Sequence, residues 1–238
     1  MSGSVQKLVV DDPAEACAAR LARAGEAGGQ IALTGGSTPR AAYERAAEMG
    51  ADWGNAALWF TDERCVPPTH EHSNYGMAKA ALLDRLGERG PAVHRMRGED
   101  GPEEGARAYA DELGAAYGGG IPRLDLILLG MGSDAHVASL FPGRPELDER
   151  ERSVVPVDMP GLPPIVPRIS LSFPVINAAR SIVFLVTGSG KAEAVARAMS
   201  GTRSTDVPAA LVEPYDGAVT WILDADAAAL LGDVVTST

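Results

Sequence analysis

Residues 125–143 read DLILLGMGSDAHVASLFPG and carry the most informative pattern in the chain. An apolar run, predicted as a strand over residues 124–129, leads through a Gly-Met-Gly turn to Asp134 and His136. Short apolar runs of this kind are typical of strands that are buried on both faces, as in parallel sheets. The segment therefore predicts a buried strand with polar side chains at its carboxyl end.

Similar apolar runs recur on both sides of this segment and alternate with alanine-rich amphipathic segments. The other predicted strands span residues 7–10, 31–34, 57–61, 154–157, 169–171, 182–187 and 219–223. The predicted helices span residues 14–26, 39–49, 73–86, 102–117, 191–199 and 225–230. This alternation favours an α/β fold with a doubly wound, mostly parallel sheet and helices on both faces. Ligands of such sheets bind beyond the carboxyl ends of the strands.

The composition is that of a globular protein. With 238 residues, 45% of them hydrophobic, the chain is expected to form one domain over residues 1–238. No apolar run approaches the roughly 18 residues that a membrane span needs. The first residues lack the pattern of a secretory signal, and Cys17 and Cys65 form no disulfide framework. These features favour a cytoplasmic protein, with a frayed tail over residues 234–238.

The formal net charge of −11 disfavours nucleic acids and anionic membranes as partners, because both would be repelled. An anionic small ligand would need a local cluster of cations that overrides this charge. The chain has only three lysines, Lys7, Lys79 and Lys191.

Asp134 and His136 are candidates for acid–base chemistry. A histidine of near-neutral pKa can take a proton from water, and a neighbouring carboxylate can orient the ring or stabilise its charged form. In the equally weighted alternative, Asp134 caps a short helix and His136 packs beside it.

Residues 33–40, LTGGSTPR, suggest an anion site where a strand passes into a helix. Ser37 or Thr38 is expected to cap a helix that begins at Pro39, and Gly35 and Gly36 allow close approach of the backbone. Free amides at a helix start bind anions. A tight turn with nothing bound is an equal alternative. The pattern is not that of a nucleotide-binding loop.

Residues 60–74, FTDERCVPPTHEHSN, place Asp62, Glu63 and Arg64 at the end of a predicted strand. This is the ligand edge of a doubly wound sheet, although a solvated loop is about as good an interpretation. His70 and His72 form an HxH pair, but no third ligand has suitable spacing, so no metal site is predicted.

Two further cations, Arg168 and Lys191, lie near the ends of predicted strands. Arg168 comes after a proline-rich segment, 156–167, that is expected to be a loop, and it opens the strand 169–171. Lys191 follows the strand 182–187 across TGSGK. A lysine in the first turn of a helix is disfavoured by the helix dipole, which suggests a functional reason. Surface solvation is an alternative for each residue taken alone.

Taken together and in order, these segments resemble the 6-phosphogluconolactonase family across nearly the whole chain. The resembling pieces are GGSTP at 35–39, DERCVP at 62–67, SNY at 73–75, VHR at 93–95, GMGSDAHVASLFPG at 130–143, RISLSFPVINAA at 168–179 and FLVTGSGKAEAV at 184–195. The DER segment and the GMG-to-FPG segment are the specific ones.

The resemblance implies a three-layer Rossmann-like fold, shared with sugar-phosphate deaminases and isomerases. It also implies hydrolysis of 6-phospho-D-glucono-1,5-lactone in the oxidative pentose phosphate pathway, without cofactor or metal, by a monomer or weak homodimer. The implied catalytic residues are His136, which removes a proton from water, and Asp134. The implied substrate- and phosphate-binding residues are Gly35, Gly36, Ser37, Thr38, Asp62, Arg64, Arg168 and Lys191.

Two positions bear on the rival interpretations. The family has glycine where this chain has Ala135, and a positive φ there would strain the alanine by about 1 kcal/mol. The related deaminases have a carboxylate where this chain has Phe141, which disfavours deaminase chemistry. A non-catalytic sugar-phosphate sensor is a third possibility, disfavoured because Asp134 and His136 are both present.

Overall fold

The computed structural model describes residues 4–232, so the prediction for the tail 234–238 lies outside the described residues. The predicted α/β fold with a mostly parallel sheet is confirmed. The strands are β1 Ser4–Val9, β2 Gln30–Leu33, β3 Ala57–Phe60, β4 Asp62–Arg64, β5 Ala92–Val93, β6 Leu126–Leu129, β7 Val154–Val157, β8 Arg168–Leu171, β9 Ser181–Val186 and β10 Ala218–Leu223. The helices are α1 Pro13–Glu26, α2 Ser37–Glu48, α3 Asn74–Ala78, α4 Asp84–Leu86, α5 Pro102–Tyr117, α6 Phe173–Ala178 and α7 Ala192–Ala198.

Seven strands form the main sheet, in the order β1-β10-β9-β6-β2-β3-β5, and every neighbouring pair is parallel. The central strands β2, β3 and β6 are almost wholly buried and apolar. Strands covered on both faces need apolar side chains on both, which is why they read as continuous runs rather than as alternating patterns.

The order of the strands reverses between β2 and β6. From β2 the chain continues outward to β3 and β5, whereas from β6 it continues to β9 and β10 on the other side. The loops that leave the carboxyl ends of β2 and β6 therefore diverge and open a crevice between them. These loops contain the GGSTPR and GMGSDAH segments.

A second, antiparallel sheet has the order β4-β8-β7. It includes β4, which the sequence did not predict as a strand, and it accepts Pro156 in the outer strand β7, where a missing N–H is tolerated. Its register places Arg64 directly opposite Arg168. The two arginines, 104 positions apart in the sequence, thus become neighbours.

Two predictions about helices were wrong, and one helix was not predicted. Residues 225–230 form turns, because a segment of six residues is too short to nucleate a helix without strong packing. The segment predicted as one helix over 73–86 is interrupted by a π-helical stretch, Lys79–Leu83. The short helix α6 was not predicted, since Phe173–Ala178 is almost wholly buried and shows no amphipathic period.

Candidate functional site

The crevice at the carboxyl edge of the main sheet is a cleft of about 250 Å³. It is lined by loops after β2, β6 and β9 together with side chains of the second sheet. The predicted site residues that line it are Gly35, Gly36, Ser37, Thr38, Asp62, Arg64, His136, Arg168 and Lys191. Asp134 does not line the cleft but lies behind His136. The structure thus brings together every residue that the sequence analysis had singled out for the site.

Asp134 and His136 form a hydrogen-bonded pair. The Nδ1 atom of His136 lies 2.6 Å from Oδ1 of Asp134, and the same oxygen accepts the His136 backbone N–H at 3.1 Å. No helix follows Asp134, so the interpretation of this carboxylate as a helix cap was wrong. Burial tends to raise the pKa of Asp134, but the hydrogen bond to His136 and the charge of that ring bring the pKa below its usual value. Since Nδ1 is engaged, Nε2 is the ring nitrogen left for a ligand.

The loop that carries this pair is tightly closed. The backbone N–H of Gly132 donates to the carbonyl of His136 at 3.0 Å, and a Cβ at Gly132 would overlap the His136 ring and the Asp134 carboxylate. Only glycine fits there. Ala135, between the two site residues, is fully buried and has a φ of 68°. The expected condition for strain at this alanine is therefore met.

Phe141 packs between His136 and Arg168. Its ring centre is 4.5 Å from that of His136, and the guanidinium carbon of Arg168 lies 5.2 Å from the same ring. The side chain is 1% exposed. The position at which the related deaminases have a carboxylate is thus filled by an aromatic ring that packs against both His136 and Arg168.

The GGSTPR loop enters helix α2 two residues earlier than predicted. The helix begins at Ser37, with Gly36 as its N-cap at φ 115°, so neither Ser37 nor Thr38 caps it. The Thr38 hydroxyl instead lies 2.9 Å from that of Thr187, after β9. Because no side chain caps α2, the amides of its first turn remain available to an anion.

The two carboxylates of the DER segment are buried, so the alternative of a solvated loop was wrong. Asp62 is 4% exposed and accepts hydrogen bonds from Ser139 Oγ at 2.8 Å and from Asn74 Nδ2 at 3.3 Å. Its carboxylate is thus held by neutral donors of the protein.

Glu63 is held in a similar way but has a different role. Its two oxygens accept the backbone N–H groups of Asn74 and Tyr75 at 2.8 Å each and the Ser73 hydroxyl at 3.0 Å. These donors form the start of helix α3. Burial raises the pKa of Glu63, and the hydrogen bonds oppose that shift. Glu63 therefore joins β4 to α3 and does not line the cleft.

The two arginines of the cleft donate hydrogen bonds to neutral groups alone. Arg64 donates to the carbonyl of His72 at 2.8 Å, and Arg168 donates to the carbonyls of Leu162 and Pro164 at 2.8 and 3.1 Å. Among residues 4–232, no carboxylate lies within 4 Å of either guanidinium or of the Lys191 amine.

Burial acts on these cations as well. Arg168 is 2% exposed, and burial lowers the pKa of its guanidinium and that of the Lys191 amine. The Nε atoms of Arg64 and Arg168 are buried without a hydrogen-bond partner. Desolvated cations without counter-charges favour an anionic ligand. This cluster is the local positive region that the acidic chain requires if its ligand is an anion.

His70 and His72 lie close together in the loop after the DER segment. The rings of His70 and His72 are 5.1 Å apart, and His70 is exposed. Within the described residues, no three His, Cys, Asp or Glu side chains lie close enough to hold a metal ion. Over the same residues, no helix has the length and apolar character to cross a membrane.

Sequence reasoning missed several residues that build the cleft. Asn74 lines it and lies so close to Gly35 that a Cβ at Gly35 would overlap its amide. Thr187, the first residue of the TGSGK motif, also lines it. The Ser139 hydroxyl donates to Asp62 and accepts a hydrogen bond from Arg168. The motifs SNY and TGSGK already contained Asn74 and Thr187, but their contacts depend on segments far apart in the sequence.

Comparisons with known proteins agree with this geometry. The family model described as glucosamine-6-phosphate isomerases/6-phosphogluconolactonase matches residues 4–221. A human 6-phosphogluconolactonase is 40% identical over 215 residues, which cover 90% of this chain and 81% of that protein. A 6-phosphogluconolactonase of Streptomyces coelicolor is 39% identical, with 97% of this chain and 96% of that protein covered.

A solved structure, 6-phosphogluconolactonase from Trypanosoma cruzi, superposes with a TM-score of 0.86 at 28% identity and covers 98% of this chain and 99% of its own. The family match extends over nearly the whole chain, and the relatives align over most of their own length. The chain belongs to the family of glucosamine-6-phosphate isomerases and 6-phosphogluconolactonases.

Proposed function

We propose that this protein hydrolyses 6-phospho-D-glucono-1,5-lactone to 6-phospho-D-gluconate, a step of the oxidative pentose phosphate pathway. The observation that carries the proposal is that one cleft is lined both by His136, which Asp134 holds from behind, and by cations with no carboxylate partner among the described residues. A phosphorylated lactone needs both, since it has an anion to be held and an acyl carbon to be attacked. Relatives aligned over most of this chain are named 6-phosphogluconolactonase.

The phosphate is held at the side of the cleft formed by the loops after β2 and β9. Lys191 supplies a positive charge, and the uncapped start of α2 supplies amides with the hydroxyls of Ser37 and Thr38. Arg168 adds a buried guanidinium to this positive region. Charge-assisted hydrogen bonds to phosphate are stronger than neutral ones, so these groups account for most of the preference for a phosphorylated substrate.

His136 acts as the general base in this proposal. Its Nε2 removes a proton from a water molecule as the water oxygen attacks the lactone carbonyl carbon, and the C=O π pair moves onto the oxygen. Asp134 accepts a hydrogen bond from the Nδ1–H group and stabilises the imidazolium that forms. When the tetrahedral intermediate collapses, the bond to the ring oxygen breaks and His136 returns the proton to that oxygen. The product is an open-chain acid, and the base is restored.

Negative charge develops on the carbonyl oxygen during the attack. Arg64 lines the same cleft and carries a charge that no nearby carboxylate neutralises. A fixed cation in a partly desolvated cleft stabilises such an oxyanion more strongly than water does.

The family also includes glucosamine-6-phosphate isomerases, so deamination is the rival function. Phe141 is the observation that disfavours it, because the buried aromatic ring leaves no carboxylate at that position for ring opening. We therefore expect no release of ammonia from glucosamine 6-phosphate.

The test is a direct assay of both activities with purified protein. The lactone is generated in situ, and its disappearance is followed above the spontaneous hydrolysis measured without enzyme. Lactone loss at the spontaneous rate would refute the proposed function. Ammonia release from glucosamine 6-phosphate in parallel samples would favour the rival.

A further inference from the structure

Asp224 lies at the end of β10, outside the cleft, and holds the loop that carries Lys191. Leu223 pairs with Val186 of β9, which places Asp224 beside the residues that follow β9. Both carboxylate oxygens of Asp224 accept the backbone N–H of Gly188, at 3.0 and 2.9 Å, and Oδ1 also accepts the backbone N–H of Ala227 at 2.7 Å. The carboxylate therefore fixes the first peptide of the turn 188–191.

The turn itself is built on Gly188. Its φ of 92° is open to glycine but costly for other residues, and no side chain of the turn caps its start. The carbonyl of Gly188 accepts the backbone N–H of Lys191 at 3.0 Å. Gly188 is therefore held at both ends: its N–H donates to Asp224, and its carbonyl accepts the N–H of Lys191. The carboxylate of Asp224 thus fixes the position of the Lys191 backbone through Gly188.

A second contact holds the loop from the side of the cleft. Thr187 is hydrogen-bonded through its hydroxyl to Thr38 in the first turn of α2, at 2.9 Å. The loop that carries Lys191 is thus held by two hydrogen-bonded contacts, one at Thr38 inside the cleft and one at Asp224 outside it. Asp224 does not line the cleft and so has no contact with a ligand there.

We propose that Asp224 is a positioning residue that sets the preference for a phosphorylated over an unphosphorylated lactone. By fixing the peptide of Gly188, it keeps the Lys191 amine at the distance that a bound phosphate requires. Asp134–His136 is carried by a separate loop, after β6, so loss of Asp224 should leave the chemical step intact. This inference rests on the proposed lactonase function.

The experiment compares two lactones with the variant Asp224→Ala. For 6-phospho-D-glucono-1,5-lactone we expect KM to rise about tenfold, the effect of weakening one charge-assisted hydrogen bond. The kcat should stay within about twofold, and the KM for unphosphorylated D-glucono-1,5-lactone should not change, because that substrate makes no use of Lys191. Asp224→Asn keeps one acceptor oxygen, so its KM should lie between those of the wild type and Asp224→Ala.

Asp226→Ala is the matched control, because Asp226 is exposed in the same turn and is not bonded to Gly188. We expect wild-type constants from it. In Asp224→Ala, an equal rise in KM for both lactones, or an unchanged KM for both, would overturn the positioning role. If Asp224→Ala does not fold, a wild-type KM in Asp224→Asn, together with an equal loss of kcat on both lactones, would overturn it as well. Wild-type protein without activity would instead refute the proposed lactonase function, a result distinct from either.

Discussion

The cleft has two regions that are stabilised in opposite ways. Asp134 and His136 satisfy each other, at 2.6 Å, and the pair is complete before any ligand arrives. Among the described residues, Arg64, Arg168 and Lys191 have no carboxylate within 4 Å. Arg64 and Arg168 donate to backbone carbonyls, whereas the Lys191 amine has no hydrogen-bond partner among these residues. The Asp134–His136 pair is suited to a proton transfer, whereas the three cations are suited to bind an anion.

The contrast with the surface of the protein makes this difference clearer. Exposed arginines such as Arg107 and Arg152 are paired with neighbouring glutamates. Such pairs contribute little to stability, because water screens them. Arg64 and Arg168 face each other across β4 and β8, a like-charge contact that costs stability. Unpaired cations in a cleft favour a ligand that supplies the missing negative charge.

Removal of the base should have the largest effect. His136→Ala is expected to lower kcat by about 10²–10⁴-fold, the usual contribution of a general base. The KM should change little, because the cations are untouched. Rates are measured with lactone generated in situ, and product binding by calorimetry shows that the cleft is intact. A variant with wild-type kcat would contradict the role of His136.

Removal of a cation should have the next largest effect and should act on the other constant. Lys191→Ala is expected to raise the KM for the phosphorylated lactone by about 10–100-fold, the usual range for a lost hydrogen bond between charged groups. The kcat should fall much less. Lys79→Ala is the matched control, since Lys79 is exposed and paired with Asp84. A change in kcat that exceeds the change in KM would place Lys191 in the chemical step.

The pair itself predicts a pH dependence of stability. Because the pKa of Asp134 is lowered in the folded protein, this carboxylate stabilises the fold above its unfolded pKa, near 3.8, and the contribution is lost as pH falls through the lower folded pKa. Asp134→Asn should therefore be less stable than the wild type at neutral pH, and the difference should shrink below pH 3.8. Urea unfolding at several pH values measures it. A difference that grows with acidity would contradict this assignment.

The smallest effect is expected at the alanine inside the pair. Ala135→Gly relieves a positive φ of 68° but adds flexibility to the unfolded chain, so a net stabilisation below about 1 kcal/mol is expected. Ala138→Gly is a comparable control, since Ala138 also has a positive φ, of 49°. Thermal unfolding measures stability, and kcat shows whether the strain displaces His136. Unchanged stability and turnover would show that Ala135 carries no cost.

Much of this site could be predicted from the sequence because strands and the loops after them are local features. The apolar runs marked seven of the eight predicted strands to within two residues at each end and one within three, and the site residues followed directly after strands or opened them. Strand β4 was missed because Asp62, Glu63 and Arg64 are charged, and a charged run is typical of a solvated loop. Two of those charges are buried only because neutral donors from Ser73, Asn74 and Ser139 reach them.

The sequence by itself determined the class of fold and the residue types that follow the strands, since these come from apolar periodicity and from residue identity. It left open whether Asp134 caps a helix or pairs with His136, and the structure shows the pair. The tertiary structure alone decided which charges are satisfied. The pairing of β4 with β8 brings Arg64 opposite Arg168, and the parallel register of β9 and β10 brings Asp224 to Gly188. Hydrogen bonds and charge contacts depend on distances between segments that are remote in the chain, and those distances exist only in the folded protein.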